Sequence, residues 1–298
     1  MMKKALAVFF LALLSSHAVA GTSVSTVATI EAGSGGIEVA ADGMIYSSDF
    51  GPFLGNSPVT GTKVWKITPD GETSVFAEGF AGASGSAMAE DGTFFQANIR
   101  GNRISRIATD GTVSTYATEG LFNPVGLVLD PKGVLWVANC GAGSIQRIAS
   151  DGSSTLFVKS DLLKCPNGLT RDPDGNLYAA NFYNGDVVRI APDATVSVVA
   201  SLPGKNNGHL VYHDKHLYVV DRAGHRIFKV AMDGTFEPFA GSGEKGGADG
   251  AASEASFCFP NDIAVSADGK HFYVNDVADE TSNGRKLGPT RIRRISVE

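Results

Sequence analysis

Positive charge is in short supply: 25 Lys and Arg stand against 31 Asp and Glu, for a net charge of −6. Neutralising nucleic-acid phosphates needs a basic footprint, so nucleic acid is excluded as a partner. The only basic cluster, Arg291, Arg293 and Arg294, falls in an alternating segment that continues a repeat described below. Cysteine is scarcer still, 3 in 298 residues, and no CxxC or Cys/His zinc spacing occurs. Past the N-terminal segment, no apolar run approaches the roughly 20 residues of a membrane helix, so no stable membrane anchor is expected. A Ser-His-Asp order with a nucleophile elbow is also missing. The glycine-rich "GSGEKGGADG" (241–250) lacks the strand–loop–helix setting of a phosphate site.

The N-terminal segment has its own logic. Lys3 and Lys4 precede an apolar stretch from Ala5 to Leu14, and Ala18-Val19-Ala20 offers a small-residue cleavage site. Residues 1–20 therefore read as a secretory signal peptide cleaved near Ala20, and the protein is expected in the periplasm or secreted. In such a compartment Cys140 and Cys165, at neighbouring strand ends on the repeat alignment, either pair as a disulfide or remain buried thiols. Cys258, between Phe257 and Phe259, reads as a packed apolar thiol.

What the chain has in quantity is glycine, 36 residues spread through every part of it in turns. Turn pairs recur at Asp42-Gly43, Asp91-Gly92, Lys132-Gly133, Asp174-Gly175, Asp214-Lys215 and Asp268-Gly269, spaced 49, 41, 42, 40 and 54 residues apart. A period near 40 built of short alternating strands is the signature of a propeller. Residues 168–201 supply the template: "GLTRD", "NLYAANF", "DVVRIA" and "TVSVVAS", each with the period-2 pattern of a half-buried strand. The fold class is therefore all-β, a six-bladed β-propeller with four-stranded blades, in one domain over residues 21–298. The sixth repeat ends after its third strand, "RIRRI". "TSVSTVATIE" (22–31) resembles the missing fourth, so the ring is expected to close through the N-terminal strand, which removes a sheet edge.

Loops leaving the first-strand starts and the second-strand ends share one face, here the upper face. A polar ring marks the second-strand ends: Asp49, Asn98, Asn139, Asn181, Asp221 and Asp276. Such residues either hold loop backbone or present acids for catalysis. At the first-strand starts the aligned residues are Gly35, Ser84, Val125, Asn167, Asn207 and Asn261, which brings three amides together near the axis. The next position is glycine in five blades and Asp262 in the sixth, and strand parity turns Asp262 and Glu38 of blade one to the same side. Asn167, Asn207, Asn261, Asp262 and Glu38 are hard oxygen donors suited to Ca²⁺ or another divalent cation. A water-filled polar channel is the other outcome these residues allow. His209, in the first strand of blade five, is either a core residue or a candidate base. The longest loops, after Asp49, after Asp276 and over residues 241–258, all rise from this face, where binding usually lives.

The stretches "CPNGLTRDPDGNLYAANF" and "GGADGAASEASFCFPNDIAVSADGKHFYVND" resemble NHL-repeat propellers and the senescence marker protein–gluconolactonase superfamily of six-bladed propellers. The resemblance runs over the whole of residues 21–298. It implies a hydrolase of lactones or related esters around one axial divalent metal, to which the signal-peptide pattern adds export. Asn167 of "PNG" matches a metal-ligand position of the gluconolactonase branch, and the "PND" of Asn261-Asp262 is closer to calcium-dependent lactonases. Ser34, Val125 and Asn207 depart from that branch's pattern. In this reading Ca²⁺ polarises the substrate carbonyl, and Asp221, Asp276 or His209 activates water. The contrasting reading is a non-catalytic propeller that binds a protein, glycan or small ligand. An antibiotic-linearising lyase on the same scaffold is less favoured, because the His and Glu pair it needs is not apparent.

Overall fold

The computed structural model describes residues 21–54 and 60–297, so the expected signal peptide lies outside the described residues. The described chain forms strands without helix. First comes β1 (Ser23–Ile30). Blade one follows with β2 (Ile37–Val39), β3 (Ile45–Ser48), β4 (Lys63–Ile67) and β5 (Thr73–Glu78). Blade two holds β6 (Ala83–Met88), β7 (Phe94–Asn98), β8 (Arg103–Ile107) and β9 (Val113–Ala117). Blade three holds β10 (Pro124–Leu129), β11 (Leu135–Asn139), β12 (Ser144–Ile148) and β13 (Ser154–Lys159). Blade four holds β14 (Pro166–Arg171), β15 (Leu177–Asn181), β16 (Asp186–Ile190) and β17 (Val196–Ser201). Blade five holds β18 (Asn207–His213), β19 (His216–Asp221), β20 (Arg226–Ala231) and β21 (Phe236–Ala240). The short β22 (Gly250–Ala251) precedes β23 (Ile263–Val265), β24 (His271–Val277) and β25 (Thr290–Ser296) of blade six.

The first five blades are four-stranded meanders, and the sixth sheet runs β22-β1-β25-β24-β23. The N-terminal strand thus closes the ring as its sequence suggested. It pairs antiparallel with β25 from Ser23 opposite Ser296 to Ile30 opposite Thr290. Blade six departs from the four-stranded expectation, because β22 adds a fifth strand outside β1 through Ser23 and Val24. Val24 and Ile30 of β1 are 2% and 4% exposed, and they join the apolar layers between blades five, six and one.

The recurrent aspartates explain the repeat's punctuation. The side chains of Asp91, Asp110, Asp151, Asp193 and Asp233 each accept the backbone N–H two residues on, at 2.9 to 3.0 Å. This Asx geometry fixes the hairpin before any tertiary contact forms. The same economy works at the axis. A Cβ on Gly168 would stand 2.5 Å from the Cα of His209, and one on Gly208 would stand 2.1 Å from the Asn261 carbonyl oxygen. Glycine therefore lets the inner strands of neighbouring blades touch by backbone, as in the 2.7 Å bond from the His209 N–H to the Asn261 carbonyl. Cys140 and Cys165 are joined in a disulfide between blades three and four, while Cys258 is a buried free thiol.

Candidate active site at the propeller axis

Blade six breaks the glycine rule with Asp262, and the extra side chain reaches both neighbours. Its Oδ2 accepts the Ile37 N–H of blade one at 3.0 Å, and its Oδ1 accepts the Ile263 N–H at 2.7 Å. From the other side, Nδ1 of His209 in blade five stands 3.2 Å from Oδ2. Both side chains are buried, at 5% exposure for His209 and 6% for Asp262. The Asp262 backbone is itself pinned by Asn275, whose Oδ1 accepts its N–H at 2.8 Å. A carboxylate facing Nδ1 favours a proton on that nitrogen, which leaves Nε2 free to accept one.

His209 lines two cavities, one towards each face. The lower, about 230 Å³, is walled by aliphatic side chains such as Val39, Met88, Leu129, Val211 and Val265. Glu38, Ser86, Thr170 and Asp262 stand at its polar end. The upper, about 30 Å³, lies beneath the long loops between Phe50, Leu54, Phe182 and Leu287. Its polar lining is Ser34, Ser84, Asn167, Asn261, Arg222 and His209.

The residues expected to share a cation are therefore divided. Glu38 and Asp262 line the lower cavity, Asn167 and Asn261 line the upper, and Asn207 lines neither. Their amide nitrogens are committed to backbone carbonyls. The Asn167 amide donates to the Asn207 carbonyl of the next blade at 3.3 Å. That of Asn261 donates to the Ser34 and Gly35 carbonyls at 2.9 and 3.1 Å. That of Asn207 donates to the Asp186 carbonyl at 3.4 Å, and its buried oxygen has no partner. Among the described residues no three His, Cys, Asp or Glu side chains group as metal ligands. A calcium ion takes six to eight oxygens around one point, and the structure divides these side chains between the linings of two cavities.

Glu38 nevertheless meets Asp262 electrostatically. Enclosure by protein raises its carboxyl well above the ordinary 4.5, the Asp262 charge raises it further, and the Ser86 hydroxyl opposes the shift. A carboxyl raised on folding stabilises fully below its unfolded value, and that stability is lost as pH climbs through the folded value. The variant Glu38→Gln will therefore flatten the alkaline decline: melting temperatures from pH 4 to pH 9 will show it matching or exceeding the parent protein at high pH. An alkaline arm unchanged by the substitution would remove Glu38 as its source.

The polar ring at the second-strand ends has a common job. Asn98, Asn139 and Asn181 accept the N–H groups of Ala81, Phe122 and Lys164 at 3.0 to 3.2 Å, each just before the inner strand of its own blade. Asp221 does the same for Gly204 and also accepts from Gly224, each at 3.1 Å. Asp276 accepts the Cys258 N–H at 2.9 Å and lies against Arg291 and Arg293. Burial pushes the Asp276 carboxyl up to about 6 against the pull of those guanidiniums. Neither Asp221 nor Asp276 lines an axial cavity, because each carboxylate is engaged in closing its loop. His209 is the one candidate acid–base residue that the structure places beside both cavities.

Arg222 is the residue that sequence reasoning passed over. Its signal was available: the position after each ring residue reads Phe50, Ile99, Cys140, Phe182, Arg222 and Val277, one charge among five uncharged side chains. Arg222 is 4% exposed, and its guanidinium stacks on Phe259 at 5.1 Å.

A six-bladed propeller with a buried His–Asp pair and a buried arginine beneath its loop-bearing face is an axial-site propeller. The chain belongs to the virginiamycin B lyase family, whose model matches residues 23–206. Solved structures share the architecture at low identity. A virginiamycin B lyase from Staphylococcus aureus is 17% identical with a TM-score of 0.65, covering 93% of this chain and 100% of that one. A gluconolactonase from Xanthomonas campestris is 15% identical with a TM-score of 0.71, covering 94% and 91%. An auxiliary nutrient binding protein from Bacteroides thetaiotaomicron is 16% identical with a TM-score of 0.68, covering 92% and 76%. No curated protein matches in sequence. The six-bladed propeller read from the repeats is thus the architecture present.

Proposed function

We propose that this propeller is an enzyme that opens an ester or lactone by elimination, with His209 as the base and Asp262 as its positioning residue. The observation that carries the reading is the 3.2 Å pair between His209 Nδ1 and Asp262 Oδ2 beside a cavity under the longest loops. Membership of a lyase family supports elimination over the hydrolysis favoured by the sequence resemblance. No step is routed through a divalent cation, because the donors are split between two cavities.

In the proposed step, His209 Nε2 removes a proton from a carbon that lies next to a carbonyl and one bond from the ester oxygen's carbon. The electron pair of that C–H bond becomes a C=C bond, the C–O bond breaks, and the ester leaves as a carboxylate. The Asp262 carboxylate, 3.2 Å from Nδ1, stabilises the imidazolium that results by its charge. The proton then passes from the imidazolium to solvent. Export to an oxidising compartment belongs to the same reading, and the Cys140–Cys165 disulfide supports it.

The test is incubation of the protein with cyclic esters in ¹⁸O-labelled water, followed by mass spectrometry and ultraviolet absorbance. Elimination gives a ring-opened product isomeric with the substrate, without label and with new absorbance from the double bond. A product heavier by one labelled water would replace elimination with hydrolysis by the same base. Unchanged esters across such a panel would leave a binding propeller in place of an enzyme.

A further inference from the structure

The upper cavity contains a cation without an anion. The Arg222 guanidinium is buried and makes a single hydrogen bond among the described residues, from NH2 to the Gly284 carbonyl at 2.9 Å. Among the described residues no Asp or Glu pairs with it, although the neighbouring arginines of blade six find partners: Arg291 with Asp276 and Glu280, and Arg293 with Asp249. A buried guanidinium without an anion is costly to desolvate, so a fold that retains one gives up stability at that point. Its planar fork is held in place by the Phe259 ring on one side and the Gly284 carbonyl at its end.

Further cations stand nearby. Among the described residues Arg226 donates to the Gly224 and Ser242 carbonyls, and Lys245 donates to the Ser282 carbonyl. His225, whose Nδ1 accepts the Phe259 N–H at 3.2 Å, is held below its ordinary value by burial first, and then by Lys245, Arg222 and Arg226, with Glu244 opposing. Beside Arg222 the cavity offers further donors, the Ser34 and Ser84 hydroxyls, between the apolar surfaces of Phe50 and Phe182. Its volume of about 30 Å³ suits a head group rather than a whole ring. Among small groups, a carboxylate matches a planar guanidinium by two parallel hydrogen bonds.

We infer that the upper cavity is a carboxylate-binding subsite in which Arg222 grips the ligand's carboxylate, with the ligand's apolar body lying towards Phe50 and Phe182. Anion capture here requires no turnover, so the inference stands or falls separately from the ester-opening reading. The probes are phenylacetate and its neutral isostere phenylacetamide, with binding read by calorimetry and by thermal melting of the full domain. Phenylacetate will raise the melting temperature saturably, since a ligand of the folded state alone must do so, and phenylacetamide will not. Arg222→Lys will bind phenylacetate more weakly, having lost the planar fork. Arg222→Met will lose binding and melt at or above the parent temperature without ligand, because an unpaired charge has left the interior. Equal responses to the two probes, or a phenylacetate response that survives Arg222→Met, would overturn the inference. The comparison of probes on the parent protein decides the matter even if a variant fails to fold.

Discussion

Deleting residues 21–31 will leave no folded ring, and moving the same residues behind Val297 through a short glycine turn will restore it. β1 supplies the whole partner edge of β25, and it buries Val24 and Ile30 at 2% and 4% exposure. Burying each such side chain is worth about 1.5–3 kcal/mol. That loss alone is comparable with a large part of the roughly 5–15 kcal/mol that keeps a domain folded. The deletion also exposes the β25 edge and releases the arm clamped beside β1. There Asp249 accepts the Thr26 N–H and hydroxyl at 3.0 Å each, and it pairs with Arg293 at 2.9 Å. The permuted chain is the control, because Ser23 lies opposite Ser296 and a short turn can join the two strands as an ordinary hairpin. Circular dichroism and thermal melting will show an unfolded deletion and a permutant melting within a few degrees of the parent. A folded deletion of near-normal stability would show that β1 is a dispensable tail.

That closing strand was legible because local and global signals agreed. "TSVSTVATIE" alternates like the fourth strands of the other repeats, and the sixth repeat lacked a fourth strand. The axial glycines were legible for a similar reason: a residue without Cβ at one position in five blades implies backbone contact, and Asp262 stood out against it. Strand parity also turned Glu38 and Asp262 to one side, and both line the lower cavity. The pairing of Asp262 with His209 was not legible. Parity says which side a residue faces but not how far along the axis it lies, and irregular register in β18 between Asn207 and Leu210 sets the height of His209. Asp221 and Asp276 read equally well as acids or as loop anchors, and only the positions of the Gly204 and Cys258 N–H groups decide between them. The repeated cation of the third strands is Arg294, whereas Arg293 stands where other blades carry Ser105, Gln146, Val188 and Phe228, all buried. An arginine is accommodated there because the 241–258 loop supplies the Ala248 and Ser256 carbonyls, as Gly246 does for Arg291.

On a substrate that the parent protein opens, His209→Ala will lower turnover by about 10²–10⁴-fold, the usual contribution of a positioned general base. Asp262→Asn will fall in the same range while leaving KM nearly unchanged. Asp262 does not touch the substrate in this arrangement; it acts through the tautomer and charge of His209. An amide in its place can still accept the Ile37 N–H but cannot stabilise an imidazolium. The acid limb of the kcat–pH profile will therefore move in Asp262→Asn, a change that loosened packing alone does not produce. Melting temperature separates the remaining explanation, because both variants must stay folded at the assay temperature for the losses to count as chemistry. If both variants are folded and turn over at the parent rate, the base lies elsewhere and the His209–Asp262 pair is only a bolt between blades five and six. If only His209→Ala is slow, the imidazole is the base without help from the carboxylate. Loss in both, with a displaced pH profile in Asp262→Asn, is the outcome that a working pair predicts. It follows from one substitution of sequence pattern, an aspartate where the other five blades have glycine.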